Sequence, residues 1–168
     1  RKSLTRDAGL PVTARVAKGV QYVWATAVAP VYLRDVTTLG SRARTVGRPH
    51  IDNRGRIEIG DDLTLNSGFA AAALSSEVGG ILRIGDRVGI NYGVSISARA
   101  QVSIGNEVSI GPYSLIHDCD VGPNDSESTR RTDGSPIEIG DGVWLAARVT
   151  VLPGARIGAR SVITAGSI

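Results

Sequence analysis

The stretch IGDGVWLAARVTVLPGARIGARSVITAGSI, residues 139–168, decides the fold, because its aliphatic side chains recur at a fixed interval. Ile139, Leu145, Val151, Ile157 and Ile163 fall six apart without a break, and Val143, Val149, Ala155, Ser161 and Ser167 repeat four residues behind them. A helix repeats its face about every 3.6 residues and a strand every second residue, so a period of six fits neither alone. It fits a coil of triangular cross-section, in which each face is one short strand plus a turn and every sixth side chain points inward onto its equivalent in the next coil. Three such hexads close one turn of 18 residues, and the fold class expected is all-β, a parallel β-helix.

The same phrase extends upstream. Ile-Gly-Asp/Asn-x-Val recurs at Ile84-Gly85-Asp86-Arg87-Val88, at Ile104-Gly105-Asn106-Glu107-Val108 and at Ile139-Gly140-Asp141-Gly142-Val143. The Gly and Asn after the inward residue are expected to serve a turn with unusual backbone angles. The period breaks twice. One surplus lies near residues 68–80 and the other, rich in Asp, Ser, Arg and Gly, spans 121–136. Insertions in a solenoid loop out from a corner and often carry a binding face.

Composition agrees with a narrow prism. The 168 residues include 21 glycines and only 4% aromatics, and the net charge of +3 is too mild to argue for nucleic acid. The single cysteine, Cys119, excludes an intrachain disulfide and suits a reducing, cytoplasmic setting; its expected role is that of a small filler. Residues 1–39 read as an N-terminal helical segment and 40–168 as the β-helix domain. Within the first part Val16, Val20, Val23, Trp24, Ala27 and Val31 stand near helical spacing, interrupted by Pro30. That helix is expected to pack on the first coil, with weak membrane-surface contact through Tyr22 and Trp24 as the other reading. The chain begins at Arg1 without a methionine and stops within a hexad, the pattern expected of trimmed ends.

The phrases Ile90-Asn91-Tyr92-Gly93, Ile110-Gly111-Pro112, Val143-Trp144-Leu145, Val151-Leu152-Pro153-Gly154 and Val162-Ile163-Thr164-Ala165-Gly166-Ser167 occur in order. Together they resemble the hexapeptide-repeat O-acyltransferases, the group of left-handed β-helix enzymes that includes maltose, galactoside and polysaccharide acetyltransferases. The resemblance implies left-handed coils, a homotrimer, and acetyl-CoA or another acyl-CoA as co-substrate, with no metal. It also implies a histidine general base that takes a proton from a sugar, glycan or other small-molecule hydroxyl as that oxygen attacks the thioester.

Carried over phrase by phrase, the resemblance makes Asn91 the acceptor-binding asparagine, with Tyr92 beside it. It makes Trp144 a cleft tryptophan, Ala147 the residue whose backbone N–H faces the thioester, and Ala165 a contact of the pantetheine arm. The family's Asp-x-Asp-aromatic-His segment corresponds to Asp118-Cys119-Asp120-Val121-Gly122, so Gly122 stands where histidine is expected. His117, directly after the inward Ile116, is the candidate displaced base, with Asp118 or Asp120 as orienting carboxylate; a surface or interface role for His117 and a turn role for the two aspartates stay open. Arg99 falls where galactoside-type relatives carry an acceptor-contacting acid. A catalytically divergent relative that keeps the trimer is the alternative. His50, in the first coil, reads as structural.

The same architecture supports the γ-type carbonic anhydrases, whose zinc takes three imidazoles. Two histidines several coils apart do not supply them. An ice-binding solenoid would need a regular threonine face, and Thr64, Thr150 and Thr164 are scattered.

Overall fold

The structure, a computed structural model, describes residues 12–119 and 134–168. It opens with α1 (Val12–Tyr32), after which the chain winds into a triangular prism. The first coil comprises β1 (Thr38–Leu39), β2 (Arg44–Val46) and β3 (His50–Asn53); the second comprises β4 (Arg56–Ile59), β5 (Thr64–Asn66) and β6 (Ala73–Ser76). The third holds β7 (Ile81–Ile84), β8 (Gly89–Ile90) and β9 (Ser95–Ala98), and the fourth holds β10 (Gln101–Ile104), β11 (Ser109–Ile110) and β12 (Leu115–His117). The fifth is β13 (Ile137–Ile139), β14 (Trp144–Leu145) and β15 (Thr150–Val151), and β16 (Arg156–Ile157) and β17 (Val162–Ile163) begin a sixth. Every third strand pairs in parallel, giving three sheets ordered β1-β4-β7-β10-β13-β16, β2-β5-β8-β11-β14-β17 and β3-β6-β9-β12-β15. This is the left-handed parallel β-helix.

Register places one aliphatic column per face in the interior. On the first face Ile59, Ile84, Ile104, Ile139 and Ile157 stack. On the second, Leu65, Ile90, Ile110, Leu145 and Ile163 do so. Leu74, Ile96, Ile116 and Val151 form the third column. Nearly all of these side chains are 0–4% exposed, and each contributes about 1.5–3 kcal/mol of apolar burial.

Two expectations need correction. A turn of 18 residues holds only at the end of the prism, from Ile139 to Ile157 and from Leu145 to Ile163. Earlier coils take 20, because first-face strands run for four residues and point two side chains inward, as Ile57 with Ile59 and Leu82 with Ile84 do. The second coil takes 25, and the interval that contains the long loop takes 35.

The second correction concerns the glycine of the Ile-Gly-Asp/Asn phrase. Positive φ falls two residues later, at Asp62 (58°), Arg87 (55°), Glu107 (58°) and Gly142 (68°). The glycine itself is needed for close approach. A Cβ on Gly105 would collide with a carboxylate oxygen of Asp141, and one on Gly85 would come within 2.8 Å of Asn106 Oδ1. Those oxygens belong to a corner ladder in which each side chain accepts a backbone N–H from the coil before it. Ser41 N–H donates to Asp61 (2.7 Å), Asp61 N–H to Asp86 (2.8 Å), Asp86 N–H to Asn106 (2.8 Å) and Asn106 N–H to Asp141 (2.7 Å).

Helix α1 packs against the first coil. Ala25, Ala29 and Leu33, spaced by four, are 5%, 0% and 1% exposed, and Ala29 and Leu33 join the apolar core. Arg44 of β2 donates to Tyr22 Oη at 2.9 Å and lies over its ring.

Candidate active site

Alternation along β12 sets the geometry of the histidine. Ile116 points inward, so His117 points outward on the third face and Asp118 points inward again at the next corner. His117 lies beside Ser97 in register, and its Nε2 is 2.9 Å from Ser95 Oγ. The ring is half-buried, and that burial lowers its pKa below the ordinary 6.5, against a smaller opposing pull from the Asp118 charge. A neutral imidazole at neutral pH follows, the form a general base requires.

Asp118, for which the sequence leaves both an orienting-carboxylate and a turn role open, is engaged in the structure as a corner residue. It is fully buried, and its oxygens accept three backbone N–H groups, from Arg99 (2.7 Å), Ala100 (2.8 Å) and Gln101 (2.7 Å). It clamps the corner between β9 and β10 and reaches His117 only through its charge. Asp120 and Gly122 lie outside the described residues, as does most of the 121–136 loop. Arg99 sits at the corner that Asp118 clamps, so it neighbours His117 and stands away from Asn91.

The other predicted residues gather elsewhere. Asn91, Tyr92, Ala147 and Ala165 all occupy the corner between the second and third faces, in the third, fifth and sixth coils. The carbonyl of Ala147 accepts from Gly166 N–H at 3.0 Å, which ties two of those coils together. Trp144 stands on the second face beside Ser109 and is 54% exposed. Between Trp144 and Asn91 runs a groove of about 320 Å³, lined also by Thr64, Asn66, Gly89 and Ser109. The space beside Gly89 is open, since a Cβ there would meet nothing within 4 Å. A larger trough on the first face is lined by the ion pairs Arg83–Glu58 and Arg156–Glu138 and contains none of the predicted residues.

In one chain, therefore, His117 and Asn91 sit at opposite edges of the third face. His50 opens β3 on that same face, exposed and three coils from His117.

Three features escaped the sequence reading. Ser95 bonds His117 across 22 residues. Asn66 donates to Asn91 Oδ1 at 3.4 Å, and that oxygen also accepts the Tyr92 N–H. Phe69, Tyr92 and Tyr113 form an edge-to-face ladder with centroids 5.4 and 5.5 Å apart, outside the groove. The Ser95-Ile96-Ser97 alternation, with Ile96 inward, was the available signal for the first of these.

This prism matches known proteins at several levels. The family model described as bacterial transferase hexapeptide (six repeats) matches residues 136–168. The Escherichia coli protein named "Putative lipopolysaccharide biosynthesis O-acetyl transferase" is 32% identical over 129 residues, which is 71% of this chain and 64% of that protein. Galactoside O-acetyltransferase of Lactococcus lactis is 32% identical over 113 residues, 66% of this chain and 52% of the relative. The chain thus spans 42–64% of the length of the curated relatives it matches. Among solved structures, a mutant of AntD, an N-acyltransferase from Bacillus cereus in complex with dTDP and coenzyme A, superposes with a TM-score of 0.59 at 15% identity. That alignment covers 82% of this chain and 78% of AntD, a likeness of fold. Residues 136–168 thus match the bacterial transferase hexapeptide family, and the chain as a whole is similar to relatives named as O-acetyltransferases.

Proposed function

We propose that this protein is an acyl-CoA-dependent O-acyltransferase, with acetyl as the acyl group, acting on a hydroxyl of a sugar, a glycan or another small molecule. The observation that carries the reading is His117: an outward, half-buried imidazole, held neutral by burial and hydrogen-bonded at Nε2, on a prism whose relatives are named as acetyltransferases. Its ring takes the acceptor proton as the hydroxyl oxygen bonds to the acyl carbon. The same proton then leaves with the thiol when the C–S bond breaks. General-base help of this kind contributes about 10²–10⁴-fold.

An acyl-CoA supplies the activated carbonyl. Trp144 and the backbone at Ala147 and Ala165 are the groups that would hold its arm along the second face, while Asn91, Tyr92 and Asn66 offer planar amides and a phenol to the acceptor. His117 and Asn91 occupy opposite edges of one face, and a homotrimer, in which a neighbouring copy supplies the missing edge, is part of the proposal. A cytoplasmic setting, where acyl-CoA is made, belongs to it as well.

Thioester release with a panel of hydroxylated acceptors tests this. Turnover above hydrolysis that His117→Ala reduces at least about a hundredfold is the expected result; a panel in which no acceptor gives turnover, or full kcat/KM in the variant, sinks it. A second reading is favoured by Gly122 at the expected histidine position and by the full engagement of Asp118 with backbone donors. On that reading the chain is a divergent relative that keeps the scaffold for binding, and coenzyme A would bind without acyl transfer.

A further inference from the structure

Helix α1 carries two apolar faces, and the prism uses one of them. Ala25, Ala29 and Leu33 are seated on the first coil. With about 100° between successive residues, Val20, Val23, Trp24, Ala27 and Val31 fall on the opposite side of the helix. There Val20 is 65%, Val23 68%, Trp24 67% and Val31 63% exposed. Together with Gly19, most of this stripe lines one shallow apolar depression, and no described element of the chain packs over it. A surface helix needs a single apolar stripe to dock on its own domain. The outer stripe contributes nothing to that docking and leaves four large side chains in water.

We propose that the outer stripe of α1 rests on an anionic phospholipid surface, with the helix lying in the plane of the headgroups. Charge complementarity selects this occupant. Residues 1–35 contain six basic side chains, Arg1, Lys2, Arg6, Arg15, Lys18 and Arg34, against two acids, Asp7 and Asp35, the second paired with Arg34 at 3.6 Å, and the helix itself contains no Asp or Glu. A second copy of the chain would bring the same positive excess to the contact, whereas anionic headgroups neutralise it. Trp24 and Tyr22 combine an apolar ring with a polar tip, the chemistry that suits the boundary between headgroups and acyl chains. Among the described residues no helix is long and apolar enough to cross a membrane, so the contact lies on the surface.

The test uses the full chain carrying Trp144→Phe, which leaves Trp24 as the one indole. It is mixed with vesicles of phosphatidylcholine, with or without phosphatidylglycerol. Flotation at least about tenfold stronger on the anionic vesicles, a blue shift of Trp24 emission, and loss of both in Val23→Glu are expected. Because Val23 is exposed, the Val23→Glu protein keeps its thermal transition. No flotation on either vesicle overturns the proposal, as does flotation that Val23→Glu leaves unchanged. Light scattering that shows a smaller oligomer for Val23→Glu also overturns it and assigns the stripe to a second copy. None of these readouts needs turnover, so the proposal and the acyl-transfer reading fail separately.

Discussion

Ser95 Oγ lies 2.9 Å from His117 Nε2, on neighbouring strands of one outward face. With Nε2–H donating to the hydroxyl, the ring is held in the tautomer whose Nδ1 lone pair is free to take a proton, the arrangement a general base needs. Ser95→Ala removes that restraint while leaving the imidazole in place. We expect kcat to fall roughly tenfold, the worth of one hydrogen bond, with KM little changed and with recovery in Ser95→Thr. An unchanged kcat would show that the ring is positioned by something else.

The acidic side of the pH profile tests the burial of the same ring. A base whose pKa lies below 6.5 remains unprotonated until the pH falls past that value. The acidic limb of kcat/KM is therefore expected to have its midpoint below 6.5; a midpoint above it contradicts the half-buried environment. Stability follows the same direction. Below 6.5 the unfolded chain protonates first, so the fold loses stability as the pH drops toward the folded pKa, and the loss attributable to His117 ends there.

Asp118→Asn separates a corner clamp from a catalytic carboxylate. The amide puts donors where backbone N–H groups already point, and the structure loses acceptors it cannot replace with water at a fully buried position. A loss on the order of 3 kcal/mol in denaturant unfolding is expected. Reduced turnover with unchanged unfolding would instead move Asp118 into the chemistry.

Gly105→Ala tests why the repeat contains glycine. The added methyl would strike Asp141 and should cost about 1–3 kcal/mol. Gly89→Ala is the control, since it adds the same methyl into open space. Equal losses at the two positions would mean that crowding between coils is not the reason.

The repeat was legible because each hexad announces its inward residue on its own. Burial of Ile116, Ile139 and Leu145 needed no knowledge of neighbouring coils. Relations between coils were not legible in the same way. Ser95 meets His117 because two strands 22 residues apart happen to be adjacent, and coil lengths of 20, 25 and 35 residues hide that adjacency from any fixed count. Asp118 was a different case. Strand alternation through Ile116 and His117 already turned it inward, in keeping with the turn role, while its likeness to a family motif kept the carboxylate role open beside it. The glycine column was misread because close approach is a property of two coils, whereas backbone angles belong to one.

The corner ladder has a further consequence. Asp61, Asp86, Asn106 and Asp141 follow one another like marks on a ruler, although the string between successive marks varies from 20 to 35 residues. Lengthening a loop adds only about 0.6 kcal/mol of closure entropy per doubling, and each mark is fixed by the one before it. The prism can thus exchange or enlarge the segments at its corners while every face keeps its alignment, so new specificity can be grafted onto it without re-solving the fold.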